Sequence, residues 1–210
     1  MTRILIADDH SIMRQGIRQV LALAVDFDVV EEASNGWEVI EKLRAQPFDL
    51  LLLDMTMPGP SGADLVKRVR DEYPDLPVLI LSMHSESQIA ARALKAGAQG
   101  YLTKDNEPDI LIAAVRKVAA GGRYIDPDLA TKLVFETGMS GESQLHEALS
   151  DREYQILLRI AQGHSLNDMA EELHLSAKTV STYKMRLMRK LGLTTTAELV
   201  RYALQYQLIS

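Results

Sequence analysis

The sequence predicts an α/β domain built on a doubly wound parallel sheet of five strands, followed by a smaller all-α domain of four helices. Three observations predict it. Short apolar runs alternate with helical hydrophobic spacing through the first 120 residues. Three of those runs, at 4–7, 50–53 and 78–81, are continuous rather than alternating, as strands covered on both faces require. From Ser150 onward the strand signal stops and helix start signals recur.

The elements follow in order. Strands are expected at Ile4–Ala7, Val29–Val30, Leu50–Leu53, Val78–Leu81 and Tyr101–Leu102. Between them, helical spacing links Ile12, Ile17, Val20, Leu21 and Leu23, and then Trp37, Ile40 and Leu43. It continues at Leu65, Val66 and Val69, at Ile89, Ala93 and Leu94, and at Ile110, Leu111, Ala114, Val115 and Val118. Gly121 and Gly122 close the fifth helix. Residues 121–147 read as a linker with one short helix near Asp128–Phe135. Its Gly/Ser-rich stretch, 137–143, has the composition of a flexible connector.

The second domain, 148–210, announces its helices through their caps. Ser150 and Glu153 form a capping box, as do Thr195 and Glu198. Ser165 and Ser176 are each placed to N-cap a helix, and Gly163 and Gly192 stand where helices stop. The expected helices are about 151–162, 166–173, 177–191 and 196–207.

Composition narrows the function classes. The chain has 210 residues and no Cys, which excludes a disulfide framework and a thiolate metal site. No apolar run reaches the roughly 18 residues that span a bilayer, and Asp8 and Asp9 interrupt the first apolar run too early for a signal peptide. A cytoplasmic protein with no membrane partner is expected. The net charge of −6 argues against nucleic acid, but it is unevenly spread. Residues 149–210 hold eight Lys or Arg and six Asp or Glu, a balance of +2 that leaves −8 for residues 1–148. An excess that small does not establish DNA binding.

The chemistry-bearing residues collect at strand ends. Ligands of a doubly wound sheet bind beyond the carboxyl ends of its strands. If the strand order is 2-1-3-4-5, Asp8 and Asp9 after the first strand converge with Asp54 after the third. Three uncompensated carboxylates repel in a desolvated pocket, so a hard divalent cation such as Mg2+ is the natural partner. Ser82 and Lys104 end the fourth and fifth strands on the same edge. A hydroxyl and an ammonium facing a metal and a carboxylate suit a phosphoryl group, with Asp54 as nucleophile. A phosphatase or hydrolase could use the same set. However, no GxxxxGK[ST] loop and no GxGxxG accompany it, so no enzyme activity beyond self-phosphorylation and self-dephosphorylation at Asp54 is expected.

In the second domain, residues 166–191 supply a short helix, a turn at Leu173-His174-Leu175-Ser176 and a longer helix. At 100° per residue, Leu187 and Leu191 fall within about 20° of Val180 and face the core. Lys178, Thr182, Met185 and Arg189 lie opposite, flanked by Ser181 and Arg186, with Thr179 and Lys184 at the margins. The cations suit phosphates, and Ser, Thr and Met suit base edges or thymine methyls. No aromatic for RNA stacking lies on that face.

On these residues the chain resembles the two-component response regulators. Residues 1–120 are similar to the flavodoxin-like receiver domain in Asp8-Asp9, Leu53-Asp54-Met55-Thr56-Met57-Pro58-Gly59, Ser82, Tyr101 and Lys104. The resemblance implies that a sensor histidine kinase phosphorylates Asp54. It implies that Asp9, Asp54 and the Thr56 carbonyl hold Mg2+, with Asp8 acting through water. Ser82 and Tyr101 then act as the switch, and Thr56 and His84 flank the path of the hydrolytic water. Residues 148–210 resemble the LuxR-type helix-turn-helix in Leu149-Ser150-Asp151-Arg152-Glu153, Met169-Ala170-Glu171-Glu172-Leu173 and Ser176-Ala177-Lys178-Thr179-Val180. The whole is similar to the NarL/FixJ branch, with Val180-Ser181-Thr182-Tyr183-Lys184 as in a BvgA/EvgA-like subset. There Ser181 replaces the usual base-facing lysine, and Lys184 must send its long stem outward. The resemblance implies double-stranded promoter DNA as partner and a homodimer when phosphorylated.

Overall fold

The computed structural model describes residues 1–83, 87–137, 145–173, 175–206 and 208–209. The chain divides into two compact units, residues 1–139 and 140–210. In the first, β1 (Thr2–Ala7), β2 (Phe27–Ala33), β3 (Leu50–Leu53), β4 (Val78–Ser82), β5 (Gly100–Thr103) and β6 (Tyr124–Ile125) form one sheet. The order is β2-β1-β3-β4-β5-β6, and every pair is parallel. The five expected strands are present in the expected order. The sixth is an addition: two residues read as linker pair with Gly100 and Tyr101 at the edge.

The helices α1 (Ser11–Leu21), α2 (Gly36–Ala45), α3 (Gly62–Glu72), α4 (Ser87–Lys95) and α5 (Pro108–Ala119) alternate with the strands, and α6 (Pro127–Thr137) follows β6 and packs on α4. Ile17 and Leu21 of α1 join Leu111, Ala114, Val115 and Val118 of α5 over Ile4, Ile6, Leu50, Leu52, Leu79 and Leu81. The alternate residues Leu5, Leu51, Leu53 and Ile80 are equally buried toward the other face. Continuous apolar strands thus follow from a sheet covered twice, and each fully buried Leu or Ile contributes about 1.5–3 kcal/mol.

Three expectations are corrected. Ile12 and Leu23 are exposed rather than core. Ile12 lies about 140° around the helix from Ile17, and α1 stops at Leu21, before Leu23. Trp37 is also mainly exposed; Gly36, Val39, Ile40 and Leu43 form the buried face of α2.

In the second unit, α7 (Asp151–Ala161), α8 (Leu166–Glu172), α9 (Ala177–Leu191) and α10 (Thr196–Gln205) follow a short 3-10 turn at Leu145–Ala148. α9 packs on α7 and α8, and α10 packs on α7. All four serine and threonine caps accept from the expected backbone N–H groups, and Ser165 forms a further capping box with Asp168. Gly192 ends α9 at φ +69, a conformation glycine adopts without Cβ strain. The Gly/Ser-rich stretch 138–143 and the turn residue His174 lie outside the described residues. No helix among the described residues is long and apolar enough to cross a membrane.

Candidate metal centre and nucleic-acid interface

The pocket is assembled by the sheet itself. Each ladder runs one residue past its strand: Asp8 N–H donates to Ala33 O at 3.0 Å, Asp54 N–H to Ala7 O at 2.8 Å, and Lys104 N–H to Ser82 O at 2.8 Å. Side chains from four successive positions therefore meet on one edge. Lys104 Nζ lies 2.6 Å from Asp8 Oδ2 and 3.0 Å from Asp54 Oδ2, and all three side chains are at most 4% exposed. Ser82 and Tyr101 are fully buried, and Thr56 is half-buried. His84 lies outside the described residues.

A buried cation between two buried carboxylates is costly unless the charges are well matched. Here they are not. Burial pushes the Asp54 carboxyl up to about 6; Lys104 opposes that rise, and the Asp8 charge adds to it. The Thr56 N–H donates to the Asp54 carboxylate and also favours its charged form. Burial works against the Lys104 ammonium, but Asp54 and Asp8 outweigh it and hold its pKa above the ordinary value. The site carries more negative charge than its lysine offsets.

The donor set fits a divalent cation. One ligand atom from each of Asp8, Asp9, His10 and Asp54 lies within 4.8 Å of the others. Asp8 Oδ2 and Asp9 Oδ1 are buried and receive no hydrogen bond, although Lys104 and His10 stand close to them as ion-pair partners.

Neighbouring residues set this geometry in ways the sequence alone did not single out. Arg14 Nη1 donates to the Asp8 carbonyl at 2.7 Å, and His10 N–H to Asp8 Oδ1 at 2.8 Å. Gly36 packs so tightly on the loop after β3 that a Cβ there would lie 1.7 Å from Pro60 O. Trp37 covers Gly59 in the same loop. The signal for His10 was its place directly after the acid pair; that for Gly36 needed the third dimension.

In the second unit, Val180, Leu187 and Leu191 of α9 are buried, as helical spacing predicts. Lys178, Met185, Arg186 and Arg189 are exposed, while Thr179, Ser181, Thr182 and Lys184 are half-buried. Lys184 does not simply reach outward: its Nζ donates to Thr196 Oγ1 at 2.8 Å, at the start of α10. Thr182 Oγ1 donates to Lys178 O, and the Arg186 guanidinium lies over the Tyr183 ring at 5.9 Å. Lys190 is structural, bonded to Glu153 Oε2 at 2.6 Å and Ala148 O at 3.2 Å.

Comparison with known proteins fits this anatomy. The family described as "Response regulator receiver domain" matches residues 4–116, and "Bacterial regulatory proteins, luxR family" matches residues 147–203. Response regulator UvrY of Escherichia coli K12 is 35% identical over 209 residues, covering 99% of this chain and 96% of that protein. Oxygen regulatory protein NreC of Staphylococcus carnosus is 38% identical over 214 residues, covering 99% of each. The chain belongs to the NarL/FixJ family of two-component response regulators.

This response regulator joins a receiver to a LuxR-type DNA-binding domain and is a regulator of transcription. It is similar to the RcsB response regulator of Salmonella typhimurium, with a TM-score of 0.62 at 27% identity over 96% of this chain and 97% of that one. The structure of an RcsB–DNA complex matches with a TM-score of 0.61 at 27% identity over 96% of each chain.

Proposed function

We propose that Asp54 is the phosphoacceptor and that its phosphorylation controls dimerisation and promoter binding. The observation that carries this is the convergence of Asp8, Asp54 and Lys104 within 3.0 Å contacts in a buried, net-negative pocket at the sheet edge. An Asp54 oxygen attacks the phosphorus of a phosphohistidine on a sensor histidine kinase, or of a small phosphodonor. The new O–P bond forms as the bond to the leaving group breaks, and an acyl phosphate results. Lys104 is already in place to neutralise phosphoryl charge, and the Ser82 hydroxyl donates to a phosphoryl oxygen. Asp9, Asp54 and the Thr56 carbonyl would hold Mg2+, with Asp8 acting through water; the ion would supply charge neutralisation for the transferring group. Tyr101, paired in β5 between Ile80 and Ile125, relays the change toward the far edge of the sheet.

The output is read by α9. Lys178, Arg186 and Arg189 meet DNA phosphates, while Ser181, Thr182 and Met185 face base edges; Thr179 and Lys184 support the helix margin. One such module makes few phosphate contacts and binds weakly, so a phosphorylation-favoured homodimer on two half-sites gains affinity by avidity. The domain limits of this reading are 1–120 for the receiver, 121–147 for the linker and 148–210 for the DNA-binding domain, all acting in the cytoplasm.

Intact-mass spectrometry after incubation with acetyl phosphate tests the site. A Mg2+-dependent adduct of one phosphoryl group, absent in Asp54→Asn, is expected. An adduct that persists in Asp54→Asn contradicts the assignment.

A further inference from the structure

The turn that carries Lys104 is tied by a side chain to the start of α6. Thr103-Lys104-Asp105-Asn106 closes on itself. The Asn106 N–H donates to Thr103 O at 3.4 Å, and Asn106 Nδ2 donates to Thr103 Oγ1 at 2.7 Å and to Thr103 O at 3.2 Å. The same amide donates to Asp126 Oδ2 at 3.1 Å. Asp126 divides its carboxylate between two duties. Its Oδ1 accepts from the Asp128 and Leu129 N–H groups at 3.0 and 3.4 Å and so caps α6, while its Oδ2 takes Asn106. Its backbone N–H donates to Tyr101 O at 3.3 Å, continuing the β5–β6 ladder. Asp126 is thus bonded at once to Tyr101 and to the turn of Lys104, and it starts the helix that packs on α4.

A neutral amide donating to a carboxylate makes a charge-assisted bond, stronger and more directional than one between neutral groups. β6 adds only two residues of pairing, so this bond is a large share of what fixes the start of α6 to the pocket turn. A cleft of about 250 Å3 lies beside the contact, bounded by residues of both segments. The bond can therefore lengthen or part without driving an atom into packed core. We propose that Asn106 is the latch through which the state of Asp54 reaches α6. This rests on the reading of Asp54 as a phosphoacceptor that controls DNA binding, and it names the route by which that state leaves the pocket. With Asp54 unmodified, Lys104 Nζ is held between Asp8 and Asp54. A phosphoryl group on Asp54 offers the ammonium new oxygens, and the turn 103–106 follows it. Asn106 then pulls on Asp126, and the start of α6 shifts. α6 is the last helix of the first unit in chain order, so its displacement acts on the segment that leads to the DNA-binding unit.

The test follows the full-length protein, Asn106→Ala and Asp126→Ser, each with and without acetyl phosphate and Mg2+. Intact mass gives the fraction phosphorylated, and samples are compared at equal occupancy. Serine at 126 keeps an oxygen to cap α6 and has none left for Asn106. Hydrogen exchange at the Leu129 and Ala130 N–H groups reads the start of α6, and affinity for a selected DNA site reads the output. Circular dichroism confirms that the variants compared are folded. In the wild type, phosphorylation is expected to change exchange at these two groups by about fivefold and DNA affinity by about tenfold. Both variants are expected to take the phosphoryl group while both responses fall below about twofold. Responses of wild-type size in folded Asn106→Ala or Asp126→Ser overturn the latch. Unchanged exchange at α6 in a phosphorylated wild type that gains DNA affinity also overturns it, and leaves the phosphoacceptor reading intact. A wild type that takes no phosphoryl group, or takes one without gaining DNA affinity, overturns that reading and the latch together.

Discussion

At the residue scale, the pocket trades stability for chemistry. Asp54 is held with its carboxyl raised to about 6, above an ordinary value of 3.8, mainly by burial. A raised acid binds more protons in the folded state than in the unfolded state between those two values. Its contribution to stability therefore falls as pH rises from about 4 to about 6 and stays low above that. In metal-free buffer, Asp54→Asn is expected to be more stable than wild type at pH 7.5, by on the order of 2–3 kcal/mol. The gap should close at pH 4 and narrow on adding Mg2+; thermal melts across pH measure it. Lys104→Met removes the ammonium that contacts both Asp8 and Asp54 and leaves the two buried carboxylates without it. A loss of about 3–5 kcal/mol is expected, larger at pH 7.5 than at pH 4. The strand-end acids, Ser82 and Lys104 were legible in the sequence because continuous apolar runs end abruptly at polar residues. The tilt of His10 toward Asp9 was not, because it depends on how the chain turns between β1 and α1.

At the element scale, caps and close contacts fix where the functional surfaces stand. Glu198 accepts from the Thr194 and Thr195 N–H groups at 2.8 and 2.9 Å, and these bonds hold its carboxyl down to about 2, against 4.5 ordinarily. A depressed acid contributes stability above its unfolded value and loses it as pH falls through its folded value. The start of α10 should therefore loosen between pH 4.5 and 2, seen as faster hydrogen exchange at Thr194 and Thr195. Glu198→Ala should exchange fast throughout that range. Because Lys184 bonds Thr196 on the same turn, the start of α10 and α9 share this support.

Gly36 locks α2 to the loop carrying Thr56. Gly36→Ala must displace backbone at Pro60, and a cost of about 1–3 kcal/mol with weakened Mg2+ binding is expected. On α9, Met185 is 64% exposed between cationic neighbours. Met185→Ala should lose discrimination between thymine and uracil in selected binding sites, since only thymine carries the methyl. Arg189→Ala should weaken binding uniformly and lower the salt slope by about one. Helix caps and the core face of α9 followed from local pattern, whereas the strand order was a supposition about the doubly wound fold that the sheet bears out. β6 did not, since Tyr124-Ile125 has no apolar run and gains strand form only from the β5 edge. Ile12 and Leu23 misled for a related reason: an apolar residue near a helix need not lie on its buried stripe. The Lys184–Thr196 bond required the position of α10.

At the scale of the whole molecule, two compact units carry two chemistries, an acidic pocket of net negative charge and a cationic helix face. We propose that phosphorylation of Asp54 links them through a shift in population between states that differ in dimerisation. The most direct measurement is the affinity of one sample for a selected DNA site before and after phosphorylation, with size-exclusion chromatography alongside and Asp54→Asn as control. The account predicts that the wild type becomes dimeric and binds the site at least tenfold more tightly once phosphorylated, while Asp54→Asn changes in neither respect. Equal DNA affinity of the phosphorylated and unphosphorylated wild type would contradict it, and DNA binding would then be controlled by something other than Asp54.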